Sequence, residues 1–258
     1  MVTLGLIGYG TIAREIVSAF PQGSVRWVAL LREGACPALP PNVGAVTQLD
    51  ALIGIRPMAV VEAAGQEAVA AYVPALLEAG IPTVIASVGA LSDPGLAARL
   101  AGAARNGGAR FVLPSGALGG LDYLRAIAAL PDARVRYTSR KPPAAWAAEL
   151  ATLGLSADNG AVTLFEGAPA EAAKLYPRNL NAAFAVALAA GPDKVTVRVV
   201  ADPNAAGNTH EIEAESAAGT TFLRFVNAPS PDNPKTSALT ALSLIATLGE
   251  LLDLEGHR

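Results

Sequence analysis

The chain has 258 residues, of which 52% are hydrophobic and 16% charged, and its formal net charge is −3. That apolar share can bury a substantial core and excludes disorder, and the acidic balance excludes the basic stripe that a nucleic-acid partner would need. Cys36 is the only cysteine, which excludes an internal disulfide and a cysteine-based zinc site and leaves a loop thiol.

In chain order, residues 2–8 read as a short buried strand, and 11–20 as an amphipathic helix entered through a glycine turn. Residues 25–31 read as a second strand. Pro37, Pro40 and Pro41 require a loop. A short helix is expected near 49–54, a strand at 59–62, a helix at 66–79 that stops at Gly80, and a strand at 83–86. A further helix at 93–106 stops at Asn106-Gly107-Gly108, and a strand at 110–113 follows. Strands alternating with helices at this spacing, and apolar along their length, predict a parallel sheet covered on both faces.

After Pro114 the pattern changes. A helix at 120–129 is followed by strands at 133–139, 161–166, 194–201, 209–216 and 220–226, with a hairpin turn at Ala218-Gly219. One helix, about 179–190, interrupts them, and a last helix is expected over about 235–253. The fold expected is α/β: a Rossmann dinucleotide-binding domain over 1–114, then an α+β domain over 115–232 on a mainly antiparallel sheet. The final segment, 233–258, is expected to pack back on the first domain. Met1 leads straight into the first strand without a basic leader, and no apolar stretch reaches the roughly 20 residues of a membrane span. A cytoplasmic location with no membrane partner is therefore expected.

The strongest motif is Gly8-Tyr9-Gly10-Thr11-Ile12-Ala13, the G-x-G-x-x-A form of the dinucleotide fingerprint. Gly8 permits the tight turn, Gly10 lets a pyrophosphate approach the main chain, and Ala13 lets the helix sit close to the strand. Thr11, Ile12 and Ala13 open a helix whose free N–H groups suit phosphate. Its place between an apolar strand and a helix is the context that makes the motif informative. A carboxylate at the end of the second strand would select NAD. Here Leu30 and Leu31 stand at that position and Arg32 follows, an arrangement that accepts a 2′-phosphate; a one-residue shift would bring in Glu33 instead. The expected cofactor is NADP or NAD.

Segments spread over both halves carry a more specific resemblance: VEAAGQEAV (61–69), ASVGALSD (86–93), PSGALGGLD (114–122), TSRKPP (138–143), LFEGAPAEAAKLYPRNLNAA (164–183), GNTHEIE (207–213) and NPKTSALTALS (233–243). In these the chain resembles the L-aspartate dehydrogenase family. The resemblance implies reversible NAD(P)-dependent oxidation of L-aspartate to iminoaspartate, which is hydrolysed to oxaloacetate and ammonia and can feed NAD biosynthesis. It implies that His210 is the catalytic histidine and that Ala117 and Asn181 contact the nicotinamide side of the cofactor. Many relatives carry an acid at the end of strand two, and this chain does not.

Taken on chemistry alone, His210 at the start of an alternating strand serves either packing or proton transfer, and it is the only internal residue that titrates near neutrality. His257 reads as a solvated terminal residue. Lys141 ends a strand just before two prolines and is the favoured partner for a substrate carboxylate, with Arg140 turned to the other face. Lys174, Arg178 and Lys235 are weaker candidates. Asn179 suits a helix cap while Asn181 reaches toward cofactor. Ser87 and Val88 after the fourth strand, and Ala63 and Ala64 after the third, stand where ligand crevices form in such sheets. Asp122 reads as a first-turn charge, and Thr236 or Ser237 as a cap for the last helix. Apolar faces over 195–200 and 221–226 suggest a homodimer. The alternative readings are a two-domain reductase of the homoserine dehydrogenase or dihydrodipicolinate reductase type, and a non-catalytic nucleotide sensor.

Overall fold

The structure, a computed structural model, describes residues 1–21, 23–176, 181–231 and 233–254, without the side chains of 233–235, 253 and 254. The chain forms two compact units, Met1–Gly116 with the chain from Thr240 onward, and Ala117–Leu239.

The first unit begins with β1 (Val2–Ile7), α1 (Thr11–Ala19), β2 (Val25–Leu30), β3 (Val43–Val46) and α2 (Leu49–Ile55). It continues with β4 (Ala59–Glu62), α3 (Gln66–Glu78), β5 (Thr83–Ile85), α4 (Pro94–Gly107) and β6 (Phe111–Val112). Its sheet has the order β3-β2-β1-β4-β5-β6, and every pair is parallel. The direction of winding reverses between β1 and β4, which makes the carboxyl ends of those two strands the expected ligand crevice. Alternating side chains feed two cores. Leu4, Leu6 and Trp27 join Ile16 of α1 on one face, while Ile7, Val28 and Val60 join Val73, Leu76 and Leu100 on the other. Each fully buried aliphatic side chain contributes roughly 2 kcal/mol.

The second unit contains α5 (Leu121–Ile127), β7 (Arg134–Lys141), α6 (Ala147–Leu153), β8 (Val162–Gly167), α7 (Pro169–Leu175) and α8 (Asn181–Ala190). Then follow β9 (Val195–Ala201), β10 (Asn208–Ser216), β11 (Gly219–Asn227), β12 (Pro229–Ser230) and β13 (Asn233–Ser237), and after them α9 (Ala238–Leu254). The five-stranded sheet runs β11-β10-β7-β9-β8. Its pairs are antiparallel except for β7–β9, which is parallel. Helix α8 packs against α5 and against β7 and β9, which is why its sequence, NAAFAVALAA, is apolar almost all round.

Several local expectations shift. β3 is an edge strand that sequence periodicity does not reveal, because only Val43 of its four residues is buried. Helices α6 and α7 fall where no regular element was expected; no more than two residues of either are buried. The hairpin turn is Ala217-Ala218, since Ser216 already pairs with Gly219. The last helix starts at Ala238 because 233–237 pair with β12. Ser237 Oγ accepts from Leu239 N at 3.2 Å, the capping part expected of it. Leu244, Leu248, Leu251 and Leu252 of α9 enter the same core as Leu4 and Leu6. Among the described residues no helix is long and apolar enough to cross a membrane.

Candidate active site

In the first unit the two fingerprint glycines have different reasons to be glycine. Gly8 has φ 83°, and a Cβ there would stand 2.9 Å from Ala64 Cβ. Gly10 is the N-cap of α1 with extended backbone, and a Cβ on it would meet nothing within 4 Å. Gly8 therefore satisfies inward packing, and Gly10 leaves the outward side open for a ligand to touch the main chain. No side chain caps α1 and no acid stands in its first turn, so the amides of Thr11, Ile12 and Ala13 keep the positive end of the helix available to an anion. Ala13 is fully buried, as close packing of α1 on β1 requires.

These residues border a cleft of about 820 Å³ whose wall includes Gly8, Gly10, Arg32, Ala63 and Ala64, together with Tyr72. Open main chain at Gly10, an uncapped helix start and a cleft of this volume together suit a dinucleotide. β2 ends at Leu30. Leu31, at the position where an acid was sought, is buried and donates its N–H to Val46 O at 2.9 Å. Arg32 is the guanidinium of the cleft wall, and Glu33 is an exposed residue beside it. Ser87 and Val88 are buried.

What connects Ser87 to the wall is Glu62, a residue that sequence reading passed over. It is the last residue of β4 and fully buried. Its Oε1 accepts from Ala64 N at 2.8 Å, Gly65 N at 2.7 Å and Ser87 Oγ at 3.1 Å. Its Oε2 accepts from Ser87 N at 3.0 Å.

In the second unit, β7 places Tyr137, Ser139 and Lys141 on one face by strand alternation, and His210 of β10 pairs directly with Ser139. His210 is buried. Its Nδ1 lies 2.7 Å from Tyr137 Oη, and the two rings stack at 6.0 Å. Burial, and then the positive charge of Lys141, push the imidazole down to about 4, so at neutral pH it is an uncharged base. Burial holds the Tyr137 phenol protonated well above its usual range. The Lys141 ammonium sits 4.8 Å above the Trp146 ring. Burial lowers its pKa and Glu149 opposes that shift. Ser139 is fully buried, and its hydroxyl bears on the Tyr137 phenol, where it opposes the effect of burial. Neither Tyr137 nor Ser139 was singled out from sequence; the alternation leading to Lys141 is the signal that could have found them.

Other candidates separate from this group. Arg140 faces the opposite side, as alternation predicts, and is held by Asp202 at 2.9 Å and Glu211 at 3.0 Å. Ala117 lies in the loop before α5, where its carbonyl accepts from Asn227 Nδ2 at 2.8 Å. Asn181 is the exposed first residue of α8. Lys174 is exposed in the last turn of α7, and Asp122 is in the first turn of α5. Arg178, Asn179, His257 and the Lys235 side chain lie outside the described residues. Among the described residues no cluster of His, Cys, Asp and Glu could hold a metal ion.

Comparison with known proteins agrees with both halves of this picture. Residues 8–114 match the family model described as homoserine dehydrogenase, NAD binding domain. Residues 122–251 match the model described as aspartate dehydrogenase, C-terminal. The chain is 46% identical over 253 residues to L-aspartate dehydrogenase 2 of Bordetella bronchiseptica, covering 95% of each. It is 44% identical over 252 residues to the L-aspartate dehydrogenase of Ruegeria pomeroyi, covering 96% of this chain and 91% of that one. The crystal structure of aspartate dehydrogenase from Thermotoga maritima aligns with a TM-score of 0.76 at 30% identity, covering 97% of both chains.

Proposed function

The chain belongs to the aspartate dehydrogenase family, and from that premise we infer that it is an NAD(P)-dependent L-aspartate dehydrogenase. It oxidises L-aspartate to iminoaspartate, releasing one proton and delivering one hydride to the cofactor; water then converts the imine to oxaloacetate and ammonia. The observation that carries the chemical assignment is an uncharged, buried His210 on the same sheet face as Lys141.

The first unit serves as the dinucleotide domain and the second as the substrate domain. The turn from Gly8 to Ala13 receives the pyrophosphate, and Arg32 the adenosine ribose. Ala63, Ala64, Ser87 and Val88 shape the path of the nicotinamide half, with Ala117 and Asn181 assigned to that half by the family pattern. NAD(P)⁺ supplies the hydride acceptor when bound. His210 takes the proton from the substrate ammonium and, in the hydrolytic stage, from water. For Nε2 to act as the base, Nδ1 must carry the proton and donate it to Tyr137 Oη, a tautomer that the 2.7 Å contact accommodates. Lys141 pairs with one substrate carboxylate, and the Ser139 hydroxyl on the same face donates to the same group.

The test is absorbance at 340 nm with a panel of amino acids and each cofactor. Reduction with L-aspartate and none with L-homoserine is expected; the reverse would overturn the assignment. NADP is accepted alongside NAD because Leu31 and then Arg32, not an acid, follow β2. Arg32→Ala should raise KM for NADP roughly tenfold while leaving KM for NAD within about threefold. A strong wild-type preference for NAD that Arg32→Ala leaves unaltered would refute this.

The working form is a cytoplasmic homodimer. A freely exchanging dinucleotide is kept inside cells, which supports the compartment. The surface that supports a dimer is narrower than the sequence implied. Val195, Val197, Val199 and Val200 are buried within the unit, whereas Phe222 and Val226 of edge strand β11 are 61% and 53% exposed. Light scattering at micromolar concentration should give twice the chain mass, and Phe222→Asp should give the monomer.

A further inference from the structure

The fully buried carboxylate of Glu62 lies outside the chemistry just described, yet four donors converge on it. Two come from the turn after β4 and two from Ser87, which is 25 residues further on and follows β5. Both turns leave the carboxyl ends of neighbouring parallel strands, where a sheet of this winding forms its crevice. The backbone ladder does not join them beyond the bond from Ala86 N to Glu62 O. Past that point the carboxylate joins the two turns. The position of Ala64 matters further because its Cβ is what a side chain on Gly8 would strike. A shift of this turn would either crowd the glycine loop or leave it unsupported.

We propose that Glu62 is a positioning residue for the dinucleotide: its carboxylate holds the 63–65 turn and Ser87 in the binding shape before cofactor arrives. The inference rests on reading the adjoining cleft as the dinucleotide site. A carboxyl group, with an acceptor oxygen at each end, fits the donor set. A glutamine has one acceptor oxygen, so its amide nitrogen would face either Ser87 N or the pair Ala64 N and Gly65 N. In the first orientation Ser87 N meets a donor while Ser87 Oγ keeps its acceptor; in the second Ala64 N and Gly65 N both meet a donor and their turn is released. An aspartate is one methylene short of spanning both turns.

The experiment titrates wild type and Glu62→Gln with NADPH and NADH, following the fluorescence of the reduced nicotinamide, with thermal unfolding measured alongside. Wild type should bind. Glu62→Gln should bind both dinucleotides roughly tenfold or more weakly, while KM for L-aspartate at saturating cofactor stays within about threefold. A residue important only to the fold would lower the fraction of active protein and the unfolding temperature without moving Kd. A Kd within about twofold of wild type would overturn the proposal and leave the cleft assignment standing. Failure of the wild type to bind any dinucleotide would overturn the cleft assignment, and this inference with it. Should Glu62→Gln not fold, hydrogen exchange on unliganded wild type decides. Slow exchange at Ala64, Gly65 and Ser87 amides before cofactor is added supports a preset tie; exchange at unstructured-chain rates refutes it.

Discussion

His210 and Lys141 illustrate how two side chains on adjacent strands set each other's chemistry. Burial and the neighbouring ammonium both favour the uncharged imidazole, so the base is available at neutral pH. His210→Ala should lower kcat by roughly 10²- to 10⁴-fold, the usual range for a general base, with cofactor affinity nearly unchanged. Stopped-flow binding and steady-state kinetics check both parts. Lys141→Met should raise KM for L-aspartate roughly tenfold by removing a charge-assisted partner. The same change relieves His210 of a positive neighbour, so the histidine pKa rises and the acid limb of kcat/KM moves to higher pH. An acid limb that stays in place would show that Lys141 does not act on His210. His210 and Lys141, which the structure puts on one face of the sheet, could be singled out in the sequence because rare residue types sat in segments of distinctive spelling. Tyr137 and Glu62 were not, because each acts through a partner distant in sequence: Tyr137 reaches His210 across 73 residues and Glu62 reaches Ser87 across 25. Strand pairing creates those neighbours, and composition does not announce them.

Among the elements, the end of α4 shows how a stop signal can hide two separate requirements. Gly108 is the left-handed C-cap, φ 64°, the ordinary reason for glycine after a helix. Gly107 is still helical, and a Cβ on it would lie 1.9 Å from Leu77 O of α3. Gly107→Ala should therefore destabilise by about 2–3 kcal/mol through forced separation of α3 and α4, against about 1 kcal/mol for Gly108→Ala. Urea unfolding would rank them; equal costs would mean that α4 can slide freely on α3. Long apolar elements such as β1, α3 and β9 were legible from period and punctuation. β3, α6 and α7 were not, since each buries only one or two of its residues and shows no apolar stripe. The parallel pairing of β7 with β9 was also hidden, because the strand period is the same for either direction of pairing.

At the scale of the whole molecule, one buried imidazole gives stability a defined acid dependence. The unfolded chain protonates His210 near 6.5, whereas the folded protein resists protonation until about 4. Between those values the unfolded state binds the extra proton, so stability falls as pH drops through the window and stops changing from this source below it. The span amounts to about 3 kcal/mol. Unfolding midpoints of wild type and a His210→Phe variant, compared from pH 7 to pH 4, should show the wild type losing the larger share. Parallel curves would mean that His210 is solvated rather than buried.

The core around Leu4 and Leu6 takes Leu244 and Leu248 from α9, which is reached only after the whole second unit has been spelled out. A nascent chain emerging from a ribosome therefore carries an open apolar seam on its first-made half throughout the synthesis of the other. Domains usually mature in the order they are translated. Here the earliest translated half should be the last to become protease-resistant, closing only when the terminal leucines clear the exit tunnel.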